Sequence, residues 1–328
     1  MSKVVVLGAG AWGTTLSILL AENQHEVTLW SFEPEIVPEM RELRENRKYL
    51  PGYQLLPVIK VTDKLTEAVN NSELIIYAIP TQFLRGIAKK VNSHLDPQTL
   101  ILSASKGLEE SSLKRPTQIL SEFLKVEIAA LSGPNLAKEI AKGLLSATVV
   151  AAPSEKIAQK IQAILSSERF RVYTNQDVVG VELGGALKNI IAIAAGVADG
   201  FELGDNAKSA LLIRGIAEIT RLGVSLGAKP VTFAGLSGMG DLITTCNSPL
   251  SRNHQVGFWL AKGKKLQEIL SSMNDIAEGV PTCRAALKLA KQQKMDMPIT
   301  SEVYQVLFEG KDPYQALVSL MKRTPTSE

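Results

Sequence analysis

The stretch VLGAGAWGTT, residues 6–15, carries the clearest indication of the fold. It holds Gly8, Gly10 and Gly13 in the spacing G-x-G-x-x-G, after the apolar run KVVVLG (3–8) and before a helix-like stretch. In this setting the first glycine allows a tight turn, the second lets the backbone approach a pyrophosphate, and the third lets helix and strand pack closely. The helix N-terminus then faces the negative charge. The spacing therefore predicts a dinucleotide site and not an ordinary turn.

Short apolar runs alternate with helical stretches through the first half of the chain. Strands that alternate with helices predict a mostly parallel, Rossmann-like sheet with flanking helices. Pro34 is predicted to open a charged helix that runs to about Asn46. After the first strand, further strands are predicted at 25–30, 74–80, 99–105, 129–134, 147–152 and 170–174.

The pattern changes near residue 175, where the valine-rich runs stop. Helical patterns follow at 177–199, 206–226, 252–262, 266–271, 282–294 and 300–308. A chain of 328 residues has room for about two domains of roughly 100–200 residues each. We therefore predict an α/β fold with a dinucleotide-binding domain at 1–175 and an all-α substrate and catalytic domain at 176–328.

Composition narrows the class of protein. The chain is 45% hydrophobic and 21% charged with a net charge of +3, which is typical of a globular protein and does not favour nucleic acid as a partner. Two cysteines and three histidines, without ligand spacing, predict no metal site and no disulfide framework.

Residues 4–20 lack a signal cleavage pattern, which predicts a cytoplasmic protein. Residues 178–198 have the length of a membrane span but carry Glu182 and Lys188, so we expect a buried helix and no membrane span.

The residues leave the choice between NAD and NADP open. NAD sites commonly have an acid at the end of the second strand, and NADP sites have an arginine nearby. Here Glu33 lies in the right region, and Ser31 suits either ribose. Arg47 and Lys48 follow further on, while Arg41 and Arg44 are interpreted as a solvated helix face.

Lys188 lies in the middle of a helix rich in small residues. Burial would lower the pKa of its amine toward the range useful for proton transfer, whereas a lysine that reaches the surface along the helix edge fits the same pattern. Asp241 follows the run GLSGMG (235–240), and Thr245 lies one turn on. Asp241 is predicted to cap the next helix and still present a carboxylate.

The run SPLSRN (248–253) predicts an anion site. Ser251 has the character of an N-cap, which puts Arg252 and Asn253 in the first helical turn. Free N–H groups, a guanidinium and an amide together suit a phosphate. A surface arginine at a helix start fits the same sequence.

Longer blocks carry a resemblance along most of the chain. These blocks are GAGAWGTTL (8–16), YLPG (49–52), SKGLE (105–109), SGPNLAKEIAKGLLSA (132–147), VELGGALKNIIAIAAGVADG (181–200), LGDNAKSALL (203–212), RLGVSLGA (221–228), TFAGLSGMGDLITTC (232–246), SRN (251–253) and EGVPT (278–282). With them, the chain resembles the NAD(P)-dependent glycerol-3-phosphate dehydrogenases of the bacterial type. The resemblance implies reversible hydride transfer between NAD(P)H and C2 of dihydroxyacetone phosphate. It also implies a homodimer that supplies glycerol 3-phosphate for phospholipid synthesis.

The resemblance assigns roles residue by residue. It makes Lys188 the acceptor and donor of the C2 hydroxyl proton, with Asn189, Asp241 and Thr245 around it. Implied substrate contacts are Lys106, Gly133, Asn135, Asp241, Ser251, Arg252 and Asn253. Implied cofactor contacts, with the glycines of the fingerprint, are Gly8, Gly10, Ala11, Trp12, Gly13, Phe32, Lys106, Ala137, Arg252, Ile276 and Glu278.

Two departures from the family pattern stand out. Phe32 lies where the family often has Arg or His, which puts the grip on a 2′-phosphate in doubt, and SGPNLA replaces the usual SGP-Ser-Phe-Ala. A related dehydrogenase with another hydroxyacid as substrate, or a non-catalytic NAD(P)-binding sensor, are the alternatives.

Overall fold

The structure is a computed structural model that describes residues 1–324. The last four residues of the predicted second domain therefore lie outside the described residues. The strands are β1 (Lys3–Leu7), β2 (Glu26–Trp30), β3 (Glu45–Asn46), β4 (Leu50–Gln54), β5 (Ile59–Thr62), β6 (Leu74–Tyr77), β7 (Leu100–Ser103), β8 (Ile128–Ser132), β9 (Ser146–Ala151) and β10 (Phe170–Asn175).

Eight of these strands form one sheet in the order β10-β9-β8-β7-β6-β1-β2-β5. Neighbours are parallel except β8 and β9, which confirms the predicted mostly parallel sheet. Apolar side chains cover both faces, and every residue of β6 is buried, because helices pack on each side. The flanking helices are α1 (Ala11–Glu22), α2 (Val37–Leu43), α3 (Leu65–Val69), α4 (Leu84–Val91), α5 (Pro116–Ser121), α6 (Ala137–Ala141) and α7 (Glu155–Leu165).

Helices make up the chain after β10. They are α8 (Val178–Gly200), α9 (Gly204–Ser225), α10 (Pro230–Phe233), α11 (Asp241–Asn247), α12 (Arg252–Ala261), α13 (Leu266–Ser271), α14 (Gly279–Gln292), α15 (Pro298–Phe308) and α16 (Pro313–Met321), with a π-helical turn at Leu236–Gly240. The predicted change from strands to helices near residue 175 matches the end of β10 at Asn175 and the start of α8 at Val178. The last of these helices, α16, was not predicted.

The segment after Pro34 differs from the sequence expectation. The α-helix ends at Leu43, because Arg44 takes a left-handed conformation with φ +52°. The β3–β4 hairpin and β5 follow, none of which was predicted. The interpretation as a solvated face agrees with Arg41, which is exposed, and is wrong for Arg44, which is half-buried. Nε of Arg41 donates to the carbonyl of Val61 (2.8 Å) and Nη2 of Arg44 to that of Ile59 (2.9 Å), which covers the open carbonyls of edge strand β5.

Helix α8 is the axis of the helical part. By length and composition it could cross a membrane, but 89% of its most apolar 18-residue window is buried inside the protein. Its backbone comes so close to that of α12 that only glycine fits at two positions of the contact. A Cβ added at Gly257 would overlap the carbonyl oxygen of Ile193, and one added at Gly196 would overlap that of His254. This glycine seam fixes where α12 begins relative to Lys188.

Two buried carboxylates join the sheet domain to the helices. Glu182 on α8 accepts hydrogen bonds from the backbone N–H (2.8 Å) and the hydroxyl (2.6 Å) of Thr117, and it pairs with Arg115. Oε1 of Glu278 accepts the backbone N–H of Thr81 (2.8 Å). Burial raises the pKa of both carboxyl groups, that of Glu278 to about 7.

Candidate active site

The glycine-rich turn has the geometry of a dinucleotide cradle. Gly8 has φ +112°, and a Cβ at Gly13 would overlap the carbonyl oxygen of Gly8, so neither position admits a side chain. A Cβ at Gly10 would come no closer than 3.8 Å, to Asp275, so this glycine borders open space. Helix α1 starts at Ala11 without a side-chain cap. The turn therefore offers open backbone N–H groups at a helix N-terminus, which fits a pyrophosphate.

The other predicted cofactor contacts differ in how far their side chains are exposed. Trp12 has a buried indole N–H without a hydrogen-bond partner among the described residues. The carbonyl of Ala137 accepts the hydroxyl of Thr15 on α1 (3.2 Å). Phe32 and Ile276 are exposed, and Oε2 of Glu278 is buried without a partner in the described part of the chain. Exposed apolar groups, one unpartnered N–H and one unpartnered carboxylate oxygen beside the cradle fit a bound dinucleotide.

Lys188 is the centre of a buried polar cluster. Its side chain is 8% exposed, and Nζ lies 2.5 Å from Oδ1 of Asp241 and 2.5 Å from Oγ1 of Thr245. The other carboxylate oxygen of Asp241 accepts Nζ of Lys106 (2.8 Å). Asp241 is the first residue of α11 and does not cap it, so the predicted N-cap role is wrong. Its carboxylate is turned inward to hold two ammonium groups.

Burial decides the acidity of Lys188. Loss of hydration lowers the pKa of this amine to about 8, although the charge and hydrogen bond of Asp241 oppose the shift and Lys106 adds to it. The sequence left open whether burial or the charge of Asp241 has the larger effect on the pKa of Lys188. In the structure burial prevails, because the amine lies inside the helical part where water cannot replace the lost contacts.

A hydrogen-bonded chain connects this cluster to the predicted phosphate site. The amide of Asn189 donates to the carbonyl of Lys106 (3.4 Å) and accepts Nδ2 of Asn253 (2.9 Å). Oδ1 of Asn253 accepts the N–H of Gly279 at the start of α14 (2.9 Å). On the other side, Nζ of Lys106 donates to the carbonyl of Gly133 (2.7 Å). Seven of the predicted residues thus lie in one network, namely Lys106, Gly133, Lys188, Asn189, Asp241, Thr245 and Asn253.

The start of α12 confirms the predicted helix N-terminus. Oγ of Ser251 accepts the N–H of His254 (3.3 Å), which makes Ser251 the N-cap. Arg252 is 43% exposed, and its guanidinium lies 3.4 Å from Asp275, the residue opposite Gly10. Asn135 is directed to its own loop, because Oδ1 accepts the hydroxyl of Thr148 (2.9 Å) and Nδ2 donates to the carbonyl of Ala147 (3.4 Å).

Three residues at the site were not found from the sequence. Asp275 lies between Gly10 and Arg252, Thr81 holds Glu278, and Asn46 donates to the carbonyl of Ala9 in the glycine-rich turn (2.7 Å). Each lies far along the chain from the group that it contacts. Residue type and spacing carry no signal for such contacts.

Sequence models of one family match both halves of the chain. The N-terminal model of NAD-dependent glycerol-3-phosphate dehydrogenase matches residues 3–158, and the C-terminal model matches residues 177–318. A glycerol-3-phosphate dehydrogenase (NAD(P)+) of Citrifermentans bemidjiense is 47% identical over 99% of this chain and 98% of its own length. One of Moorella thermoacetica is 47% identical over 99% of this chain and 97% of its own.

Solved structures agree with these matches. The crystal structure of glycerol-3-phosphate dehydrogenase from Coxiella burnetii superimposes with a TM-score of 0.95 at 35% identity, over 98% of this chain and 99% of that one. A D-mandelate dehydrogenase, at 13% identity and a TM-score of 0.63, shares the fold alone. On these matches the chain belongs to the family of NAD(P)-dependent glycerol-3-phosphate dehydrogenases, which are oxidoreductases.

Proposed function

We propose that this chain interconverts sn-glycerol 3-phosphate and dihydroxyacetone phosphate, with the Lys188 amine as acceptor and donor of the C2 hydroxyl proton. The observation that carries the proposal is the contact of the buried Lys188 amine, whose pKa is lowered by burial, with Asp241 and Thr245. When bound, the nicotinamide supplies the acceptor and donor of hydride. We propose that the glycine-rich turn, Trp12 and the segment around Ile276 and Glu278 hold that cofactor.

The chain's own groups perform the proton half of the reaction. In oxidation the neutral amine of Lys188 takes the hydroxyl proton as the C2 carbonyl forms, and becomes an ammonium. In reduction that ammonium returns the proton to the oxygen. Asp241 and Thr245 hold the amine in one place, and Lys106, on the same carboxylate, adds a positive charge that stabilises negative charge on the oxygen.

The phosphate of the substrate would anchor it at the start of α12. We propose that Arg252 and the adjacent N–H groups bind the phosphate, with Lys106, Gly133 and the Asn135 loop on the opposite side. Asn253 is hydrogen-bonded to Asn189, the residue after Lys188 on α8, so phosphate binding sets the position of C2. The domain division at residue 175, which puts the site between the two units, is part of the proposal.

Assembly and cellular role are further parts of it. Ile213 (50% exposed) and Val224 (42% exposed) lie about three turns apart on one face of α9 and form an apolar strip. We propose that this strip is covered in a cytoplasmic homodimer whose product feeds phospholipid synthesis. Light scattering should show twice the mass of one chain for the wild type, and Ile213→Glu should give the monomer mass. A wild type with the mass of one chain would contradict the dimer.

The proposed activity is tested by NADH oxidation with dihydroxyacetone phosphate, monitored by absorbance. In Lys188→Met we expect turnover to fall by at least about 10²-fold, since general acid catalysis contributes about 10²–10⁴-fold. NADH binding, followed by fluorescence, should change less than about twofold, since the lysine lies outside the glycine-rich turn.

The exposed lysine variant Lys89→Met serves as the control and should match the wild type in both measurements. Turnover that survives in Lys188→Met would exclude this amine as the proton carrier. A wild type that binds NADH but shows no turnover would support the sensor alternative.

A further inference from the structure

Three side chains beyond the end of β2 form a polar cluster to which the proposed function gives no role. Nζ of Lys48 donates to Oε1 of Glu33 (2.7 Å), and the hydroxyl of Tyr49 lies 3.0 and 2.9 Å from the two carboxylate oxygens. We call Glu33, Lys48 and Tyr49 the acid cluster. Glu33 is held in place from behind, because its N–H donates to Oγ of the buried Ser31 (3.1 Å).

The acid cluster lies at the same sheet edge as the glycine-rich turn. Strands β1 and β2 pair in parallel with Leu7 opposite Trp30, and the N–H of Gly8 donates to the carbonyl of Trp30 (2.9 Å). The residues that follow the two strands therefore emerge side by side. In dinucleotide folds the ribose of the adenosine half lies at the end of the second strand.

Asn46 connects the acid cluster to the cradle directly. Its Nδ2 donates to the carbonyl of Ala9 (2.7 Å) and to the hydroxyl of Thr14 (2.8 Å), and its Oδ1 accepts the N–H of Tyr49 (3.2 Å). Asn46 is buried, so these bonds do not compete with water. One hydrogen-bonded frame thus holds both the turn and Glu33.

The charges of the acid cluster discriminate between the two cofactors. A carboxylate accepts a hydrogen bond from the 2′-hydroxyl of NAD and repels the 2′-phosphate of NADP. Lys48 has the opposite preference, but its ammonium is already paired with Glu33, a bond that raises the pKa of the lysine. Tyr49 touches both oxygens of Glu33, so the carboxylate stays fixed if Lys48 swings away. Phe32, exposed beside them, brings no charge.

We propose that Glu33 and Lys48 set the cofactor preference of this chain. Glu33 binds the 2′-hydroxyl of NAD(H), which is the preferred cofactor, and Lys48 leaves Glu33 to meet the 2′-phosphate when NADP(H) binds more weakly. The proposal rests on the proposed function in one respect, since the nucleotide has to lie on the glycine-rich turn.

The test is binding of NADH and NADPH to the full chain without substrate, followed by fluorescence. We expect NADH to bind more tightly by about tenfold, the effect of one charge-assisted hydrogen bond. Glu33→Gln should shift the ratio of dissociation constants toward NADPH by about tenfold. Lys48→Met should weaken NADPH by about tenfold and NADH by less than about twofold. Lys90→Met, an exposed lysine on α4, is the matched control and should change neither value.

Three results would overturn the proposal while leaving the proposed function intact. The first is a wild type that binds NADPH more tightly than NADH. The second is a ratio of dissociation constants that does not change in Glu33→Gln. The third is NADPH binding that is lost in Arg47→Met but unchanged in Lys48→Met. Arg47 is the relevant rival because it is exposed next to Lys48 and pairs only loosely with Glu39 and Glu45. A wild type that binds neither nucleotide would contradict the proposed function as well.

Discussion

At the scale of single residues, the site depends on how Asp241 shares its charge. One carboxylate oxygen faces Lys188 and the other faces Lys106. Two ammonium groups against one carboxylate leave a net positive charge beside the place where the C2 oxygen would lie. A carboxylate that is 1% exposed keeps this arrangement because water cannot screen it.

The pKa of Lys188 predicts opposite pH dependences for the two directions of the reaction. Oxidation needs the neutral amine, so its kcat/KM, which reports the pKa of the free enzyme, should rise as the pH increases through about 8. Reduction needs the ammonium, so its kcat/KM should fall over the same interval. Steady-state rates measured in both directions from about pH 6 to about pH 10 check this expectation.

The variant Asp241→Asn separates the effect of burial on the pKa of Lys188 from the effect of the Asp241 charge. Without the carboxylate that favours the ammonium, the pKa of Lys188 should drop further, and the oxidation limb should move to lower pH. Overall activity should also fall, because Lys188 and Lys106 lose a shared partner. A limb that stays near pH 8 in this variant would show that another group controls it.

At the scale of elements, the seam between α8 and α12 positions the chemistry. Lys188 and Asn189 lie on α8, whereas Ser251, Arg252 and Asn253 lie at the start of α12. The glycine contacts at 196 and 257 bring the two backbones together. The distance between the amine and the phosphate anchor is therefore set by packing of the two helices.

A methyl group in this seam should destabilise the protein. In Gly257→Ala the Cβ meets the backbone of α8, which cannot give way, so we expect a loss of at least about 2 kcal/mol in the free energy of unfolding. The KM for dihydroxyacetone phosphate should rise, because the start of α12 moves away from Lys188. Denaturant unfolding and steady-state kinetics measure the two effects.

Gly86→Ala is the control for this experiment. Gly86 lies inside α4, and a Cβ there would have no neighbour within 4 Å. Alanine should stabilise that helix by up to about 1 kcal/mol and leave the KM unchanged. If Gly257→Ala behaves like Gly86→Ala, the close contact of α8 and α12 is not required.

At the scale of the whole molecule, buried carboxylates that join the two parts make stability depend on pH. The pKa of Glu278 rises from 4.5 in the unfolded chain to about 7 in the folded one. The folded protein thus holds a proton that the unfolded chain releases between these values. This contribution is fully present below about pH 4.5 and is lost as the pH rises through about 7.

Glu278→Gln should remove that dependence, because the amide does not titrate. A shift of 2.5 pKa units corresponds to about 3 kcal/mol, so the variant should gain this much relative to the wild type between about pH 4.5 and about pH 8. Denaturant midpoints of both proteins across this range provide the measurement. Glu168→Gln, at an exposed acid, should follow the wild type, and parallel curves for Glu278→Gln and wild type would contradict the expectation.

Most elements and motifs of this protein could be predicted from local patterns in the sequence. The glycine fingerprint, the valine-rich strands and the N-cap at Ser251 are local patterns, in which the residue type acts on its own backbone. The long helix around Lys188 was predicted at 177–199 and lies at Val178–Gly200 for the same reason. Strands β3, β4 and β5 and helix α16 were not predicted, because their hydrophobic patterns are weak and packing against other segments stabilises them.

The roles of the charged groups became clear only from the packing of distant segments. Whether Lys188 is buried, whether Asp241 caps a helix or holds two lysines, and whether Arg44 is solvated all depend on residues distant in the chain. The same holds for Glu33, whose partners come from a hairpin that the sequence did not predict. The physical reason is that burial and charge–charge distance are set by the packing of remote segments, whereas backbone conformation is set mainly by neighbours.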